Sequence, residues 1–167
     1  MNDAPASKMA DLKTRVISAL VLALGVLFVS WWGGLPFSLV WGAAAIIVMI
    51  EFFKMVGTFD RWIALAGGTA LGMLAMLAPY VMGPSHFSLT MSVFPIVFAT
   101  VGLGVAAMLL LARSGKKMWA VAGFLYASVL AFTPPFLRAD PFEGLFIILA
   151  IYGLVWGTDI GAYFFGR

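Results

Sequence analysis

Asp159 is the residue of this chain whose position demands a chemical explanation. It stands in Gly153-Leu-Val-Trp-Gly-Thr-Asp-Ile-Gly-Ala-Tyr-Phe-Phe-Gly-Arg167, an otherwise apolar stretch, and only fifteen uncharged residues separate it from Glu143. A bilayer takes about 20 apolar residues to cross, so a helix here must carry the carboxylate within the membrane or at its edge. At that depth a carboxylate needs a cation, a hydrogen-bond partner or a proton, which makes it a functional candidate by default. At ~100° per residue, Tyr152, Trp156 and Tyr163 share its side of the helix. Gly153, Gly157 and Gly161 form a stripe of small residues roughly 200° away, suited to close approach by another helix. The residues alone leave a structural alternative open, in which Asp159 caps the inner end of a span and pairs with a lysine or arginine elsewhere.

Other candidates for chemistry are few. Glu51 and Lys54, at i and i+3, can pair on one helix face, and a structural ion pair at the membrane surface accounts for them better than catalysis. His86 falls in a connecting turn with no second histidine or nearby carboxylate and reads as a solvated loop residue. The absence of cysteine rules out disulfides, thiolate metal sites and a cysteine nucleophile, and a single histidine rules out a multi-histidine metal centre within the chain.

The elements that must position Asp159 follow from hydropathy. With 63% hydrophobic and 10% charged residues and a mean hydropathy of +1.08, the chain lies far outside the soluble range, where about 25% of residues are charged. Its fold class is therefore expected to be all-α, a polytopic bundle of about six transmembrane helices. Residues 1–15 read as a polar, loosely ordered cytoplasmic tail and 16–167 as the six-helix region. Val16 to Trp32 reads as an uncleaved first helix. Thirty-five uncharged residues between Arg15 and Glu51 are too many for one span, and Trp31-Trp-Gly-Gly-Leu-Pro36 supplies the turn that divides them.

The second helix is predicted over Leu35 to Phe53. The fifty-one charge-free residues from Trp62 to Ala112 again require two helices, Trp62 to Met82 and Leu89 to Ala112, broken at Met82-Gly-Pro-Ser-His-Phe-Ser88. Pro79 and Pro95 sit inside these spans, where neighbouring helices can satisfy the freed carbonyls. A fifth helix, Met118 to Leu137, is expected to kink or end early at Thr133-Pro-Pro135. The sixth runs from about Phe142 to Phe165.

Charge tests this arrangement. Nine of the ten lysines and arginines fall on one side of the predicted bundle, and Arg138 alone falls on the other. That asymmetry predicts both termini in the cytoplasm. The formal charge of +3 is thus a matter of topology and gives no nucleic-acid footprint. Asp159, six residues before Phe165, is placed roughly 9 Å inside the cytoplasmic boundary.

Asp159-Ile-Gly-Ala-Tyr-Phe-Phe-Gly-Arg167, preceded by Trp156-Gly-Thr, resembles the D-x-G-A-Y-x-x-G-[RK] segment of the bacterial phosphatidate cytidylyltransferases, the CDP-diacylglycerol synthases. Leu12-Lys-Thr-Arg-Val-Ile-Ser-Ala-Leu20 and Glu51-Phe-Phe-Lys-Met55 are similar to that family's opening segments, though both are short. The resemblance implies transfer of CMP from CTP to phosphatidate at the inner membrane, giving CDP-diacylglycerol and pyrophosphate. It implies Mg2+ as cofactor, CTP, phosphatidate and membrane lipid as partners, and a possible homodimer. Under it Asp159 is the candidate catalytic and metal-binding carboxylate, and Arg167 and Tyr163 are candidate substrate contacts.

Family members continue past the Gly-Arg with a loop rich in Ser, Lys and Gly, further helices, and a signature of paired Lys-Asp and Asp-Arg residues. The chain is therefore expected to be the amino-terminal part of a larger enzyme, truncated after Arg167 and inactive alone. Two other classes remain: a small transporter in which Asp159 binds a cation or proton, and a non-catalytic membrane scaffold assembled through the glycine stripe.

Overall fold

The computed structural model describes the backbone of residues 4–81, 87–140 and 143–166, with side chains at 14, 16–81, 93–140 and 143–166. Six helices follow one another: α1 (Ala4–Trp32), α2 (Gly34–Val56), α3 (Arg61–Val81), α4 (Phe87–Leu111), α5 (Lys117–Arg138) and α6 (Gly144–Phe165). There is no strand among the described residues. Five of the helices contain stretches long and apolar enough to cross a membrane, and the apolar part of α1 is the shorter run Val16–Trp32. The chain is a multi-pass, all-helical membrane protein.

The predicted spans match these helices to within a few residues, with two differences. First, α1 continues back to Ala4 through the segment read as a tail. Second, Pro134 and Pro135 do not end α5, which runs on to Arg138. A proline inside a helix costs about 3 kcal/mol through its missing N–H and its clash with the preceding turn. Here packing offsets that cost, because Pro135 is fully buried and the rings of Phe132 and Phe136 stack at 5.5 Å between centroids. The break expected around His86 lies outside the described residues.

The core sits among α2, α3, α4 and α5. Met49 and Phe53 of α2, Leu71 and Leu74 of α3, Met108 of α4 and Phe124 of α5 are all at or below 1% exposure. Small residues allow the approach: a Cβ at Gly67 would overlap Met49, one at Gly104 the Phe124 ring, and one at Gly123 the Phe52 ring. Packing of this kind, with bulky side chains seated on glycine, replaces the hydrophobic drive that lipid surroundings remove. By contrast, α1 and α6 stand at the flank and meet the bundle through a second, smaller cluster of Phe37, Ile148 and Tyr152 with Val26, Leu27, Val29, Trp41 and Leu137 around it.

Two basic side chains tie helix ends together. Lys116 donates to the carbonyl of Val56, at the end of α2 where Gly57 adopts the left-handed conformation. At the other end of the bundle Arg138 donates from Nε to the Ser30 carbonyl at 2.7 Å and from Nη2 to the Trp31 carbonyl at 3.1 Å. Both cations thus satisfy orphan carbonyls at a helix C-terminus, where the helix dipole also favours them. Gly33 joins α1 to α2 with φ of 71°, and a Cβ there would lie 2.8 Å from Arg138 Nη2. The turn therefore needs glycine for both its backbone conformation and its space.

Candidate functional site

α6 is apolar on nearly every face, so its own pattern does not decide which side turns inward. Three contacts do. Gly144, Ile148 and Tyr152 are its buried residues, all in its first nine positions, and the rest of the helix is almost entirely exposed. The Tyr152 hydroxyl lies 3.1 Å from Ser30 Oγ, and Ser30 Oγ also donates to the Val26 carbonyl at 2.7 Å. This buried pair fixes the rotation of α6 against α1. Once it is set, Trp156, Asp159 and Tyr163 follow at helical spacing on the same side.

Alongside Tyr152 and Trp156, α1, α2 and α6 leave an apolar groove of about 490 Å3, lined also by Ala19, Val26, Phe37 and Trp41. Its wall along α1 runs from Ala19 to Ser30, a rise of about eleven residue steps or roughly 16 Å. That is close to half of the ~30 Å hydrocarbon thickness of a bilayer. Trp156 stacks on Tyr152 with ring centroids 5.7 Å apart and planes 13° from parallel. Asp159 stands one turn beyond Trp156, toward the end of the bundle that carries Lys54, Arg61, Lys116 and Lys117. Both Asp159 and Tyr163 are exposed, and the Tyr163 ring meets Phe164 edge-on at 5.5 Å.

The structure brings Asp159 and Tyr163 onto one face of α6. Among the described residues no group of three or more acidic or histidine side chains could hold a metal ion. Asp159 offers a single carboxylate, which suits Mg2+ only where substrate phosphates and other ligands complete its shell. Arg167 lies outside the described residues. Glu51 and Lys54 do not form the expected ion pair; the Lys54 ammonium lies over the Phe59 ring, 5.7 Å from its centroid. Both side chains are exposed, where such a pair gains little over solvent. Among the described residues the glycine stripe of α6 meets no neighbouring element, since nothing outside the helix's own backbone lies within 4 Å of a Cβ built at Gly153, Gly157 or Gly161.

Sequence reasoning did not find Ser30, Trp41 or the groove. The available signal was Ser30 itself, a hydroxyl within an apolar span, but its partner is 122 residues away.

The sequence profile of the cytidylyltransferase family matches residues 13–167. Among curated proteins, a phosphatidate cytidylyltransferase of Brucella suis is 29% identical over 163 residues, covering 95% of this chain and 56% of the relative. One of Haemophilus influenzae is 29% identical over 179 residues, covering 93% of this chain and 60% of the relative. The chain thus spans somewhat over half the length of the curated relatives it matches. No solved structure matches it.

Proposed function

The chain belongs to the cytidylyltransferase family, and on that premise we propose that it carries the lipid-facing part of a phosphatidate cytidylyltransferase of the bacterial inner membrane. The reaction is attack of a phosphate oxygen of phosphatidate on the α-phosphorus of CTP. The bond between that phosphorus and the oxygen bridging to the β-phosphorus breaks, pyrophosphate leaves, and CDP-diacylglycerol remains in the bilayer.

The observation that carries this reading is the apolar groove among α1, α2 and α6, whose lining on α6 ends at Trp156, one turn short of Asp159. An acyl chain of phosphatidate lies in it, against Val26, Trp41 and Trp156, and the phosphate headgroup then reaches the level of Asp159. The groove's length along α1, close to the depth of one leaflet, supports this placement. Asp159 supplies one carboxylate to a divalent cation, Mg2+ in this proposal, whose chemistry is to neutralise the charge of the meeting phosphates. Tyr163, one turn further along the same face, donates its hydroxyl to a phosphate oxygen, and Arg167 provides a positive charge at the rim.

The test uses membranes carrying the chain together with the remaining portion of the Brucella suis relative, supplied with labelled CTP and phosphatidate. Formation of lipid-linked label with release of pyrophosphate is expected. Asp159→Asn should reduce it about 10²-fold or more, the equivalent of several kcal/mol of lost charge stabilisation. Unchanged turnover in that variant would remove Asp159 from the site. Proton-linked uptake in liposomes without any cytidylyl transfer would replace the enzyme reading by the transporter one.

A further inference from the structure

A second concentration of unused polar groups lies at the end of the bundle away from Asp159. The first turn of α2, Pro79 of α3 and the last turn of α5 border a cavity of about 380 Å3, lined also by Trp32 and Ala139. Its polar side chains, those of Trp32, Ser38 and Arg138, can all donate. Arg138 has five N–H groups, of which two serve the Ser30 and Trp31 carbonyls, so its guanidinium retains capacity for a further partner. The α2 N-terminus borders the same space at Gly33 and Gly34 and has no side-chain cap. Pro36 has no N–H, leaving the amides of Gly34 and Leu35 ahead of the first intrahelical bond.

Ser38 supplies the independent observation. It is 1% exposed, it lines this cavity, and its Oγ is the buried side-chain polar atom among the described residues that has no hydrogen-bond partner. Other helical hydroxyls in this chain bond back to the carbonyl four residues earlier: Ser30 at 2.7 Å, Thr100 at 2.8 Å and Ser128 at 2.8 Å. Ser38 does not, although that bond is the ordinary way to satisfy a hydroxyl inside an apolar helix. A buried hydroxyl left without a partner is destabilising, and an oxygen atom in the cavity would relieve it. The acids at this end do not line the cavity, and Asp140 Oδ1 accepts the Glu143 backbone N–H at 2.6 Å.

We propose that this cavity is a binding site for a phosphate-type oxyanion, held by the Arg138 guanidinium, the uncapped start of α2 and the Ser38 hydroxyl. A cation, a helix N-terminus and a neutral donor converge there with no carboxylate among the lining residues, the combination that selects an anion. With room for several water volumes of roughly 30 Å3 each, the cavity takes more than a bare ion. The exposed Trp32 at its rim is the residue type that marks the membrane interface. The anion can therefore come from a phospholipid headgroup or from free phosphate. The site lies at the opposite end of α6 from Asp159 and stands apart from the proposed transfer reaction.

Thermal unfolding of the chain in an uncharged detergent tests it, with inorganic phosphate, short-chain phosphatidylglycerol or phosphatidylcholine of the same acyl length as additive. The unfolding midpoint is expected to rise by several degrees with at least one of the two anions and not with phosphatidylcholine. Ser38→Ala should cut that rise to less than half while leaving the midpoint without additive unchanged or higher, because it deletes an unsatisfied hydroxyl. Ser128→Ala, which removes a satisfied hydroxyl elsewhere, should preserve the anion-induced rise. A rise with phosphatidylglycerol alone assigns the headgroup as the source, and a rise with inorganic phosphate as well shows that the free anion suffices. The proposal is overturned by no rise with either anion, by an equal rise with phosphatidylcholine, or by a rise in Ser38→Ala equal to that of the parent.

Discussion

Tyr152 and Asp159 lie seven residues apart on one side of α6 and serve different ends. The tyrosine is nearly buried and its hydroxyl meets Ser30, so its work is to hold the helix. The aspartate is exposed beyond that anchor, so its position depends on the tyrosine. Tyr152→Phe is expected to keep the ring stacked on Trp156 but lose one hydrogen bond, a loss of about 0.5–1.5 kcal/mol in unfolding measured by chemical denaturation in detergent. Arg138→Met should cost more. Two charge-assisted bonds to the end of α1 disappear at once, each worth about 1.5–3 kcal/mol, and a lowered unfolding midpoint checks the loss. That Asp159 and Tyr163 share one side of α6 was legible from spacing; the places of Ser30 and Ser38 were not, because a serine in an apolar helix is ordinary until its partner, or the lack of one, is known.

Among the elements, α6 is the exception. The helices α2 to α5 bury glycines against large side chains, whereas α6 leaves Gly153, Gly157 and Gly161 open to the described residues. The two groups should respond to substitution in opposite ways. Gly104→Leu, driven into the Phe124 ring, is expected to destabilise by at least about 1–3 kcal/mol. Gly157→Leu should stay within about 0.5 kcal/mol of the parent in this chain, because nothing occupies that side. Denaturation of both variants side by side distinguishes them. A second consequence concerns motion: with its last buried residue at Tyr152, the part of α6 beyond it is held by few contacts. Amides of residues 153–165 in detergent are expected to exchange with deuterium well before those of 120–131 in α5, as mass spectrometry would resolve. The small-residue period was visible in the sequence for α6, but glycine alone does not mark a packed face: in α3 Gly67 is packed against Met49 while Gly72 is as open as Gly157 here.

Over the whole molecule, the charge asymmetry has a structural counterpart. Lys116 and Arg138 cap helices at opposite ends of the bundle, so among the described side chains Lys116 and Lys117, at the start of α5, are separated from Arg138 by the length of that helix. The chain has no cysteine, which permits a clean topology test. Single cysteines at Ser114 and Ala139 are expected to label from opposite sides of a sealed membrane, Ser114 from the cytoplasm, when probed with an impermeant maleimide. Labelling of both from one side would break the predicted bundle.

By itself the sequence determined the class, the number of helices and most of their limits. These depend on local quantities: the length of each charge-free interval against the thickness of a bilayer, and the glycines and prolines that interrupt them. It also marked Asp159, since a carboxylate in an apolar run is conspicuous without any structure. Only the tertiary structure decided that α6 turns on a Tyr152–Ser30 contact, that α1, α2 and α6 leave a groove reaching Trp156, and that Ser38 and Arg138 line one cavity. In helices apolar on nearly every face, periodicity names no inward side, so side-chain fit between residues distant in sequence sets it.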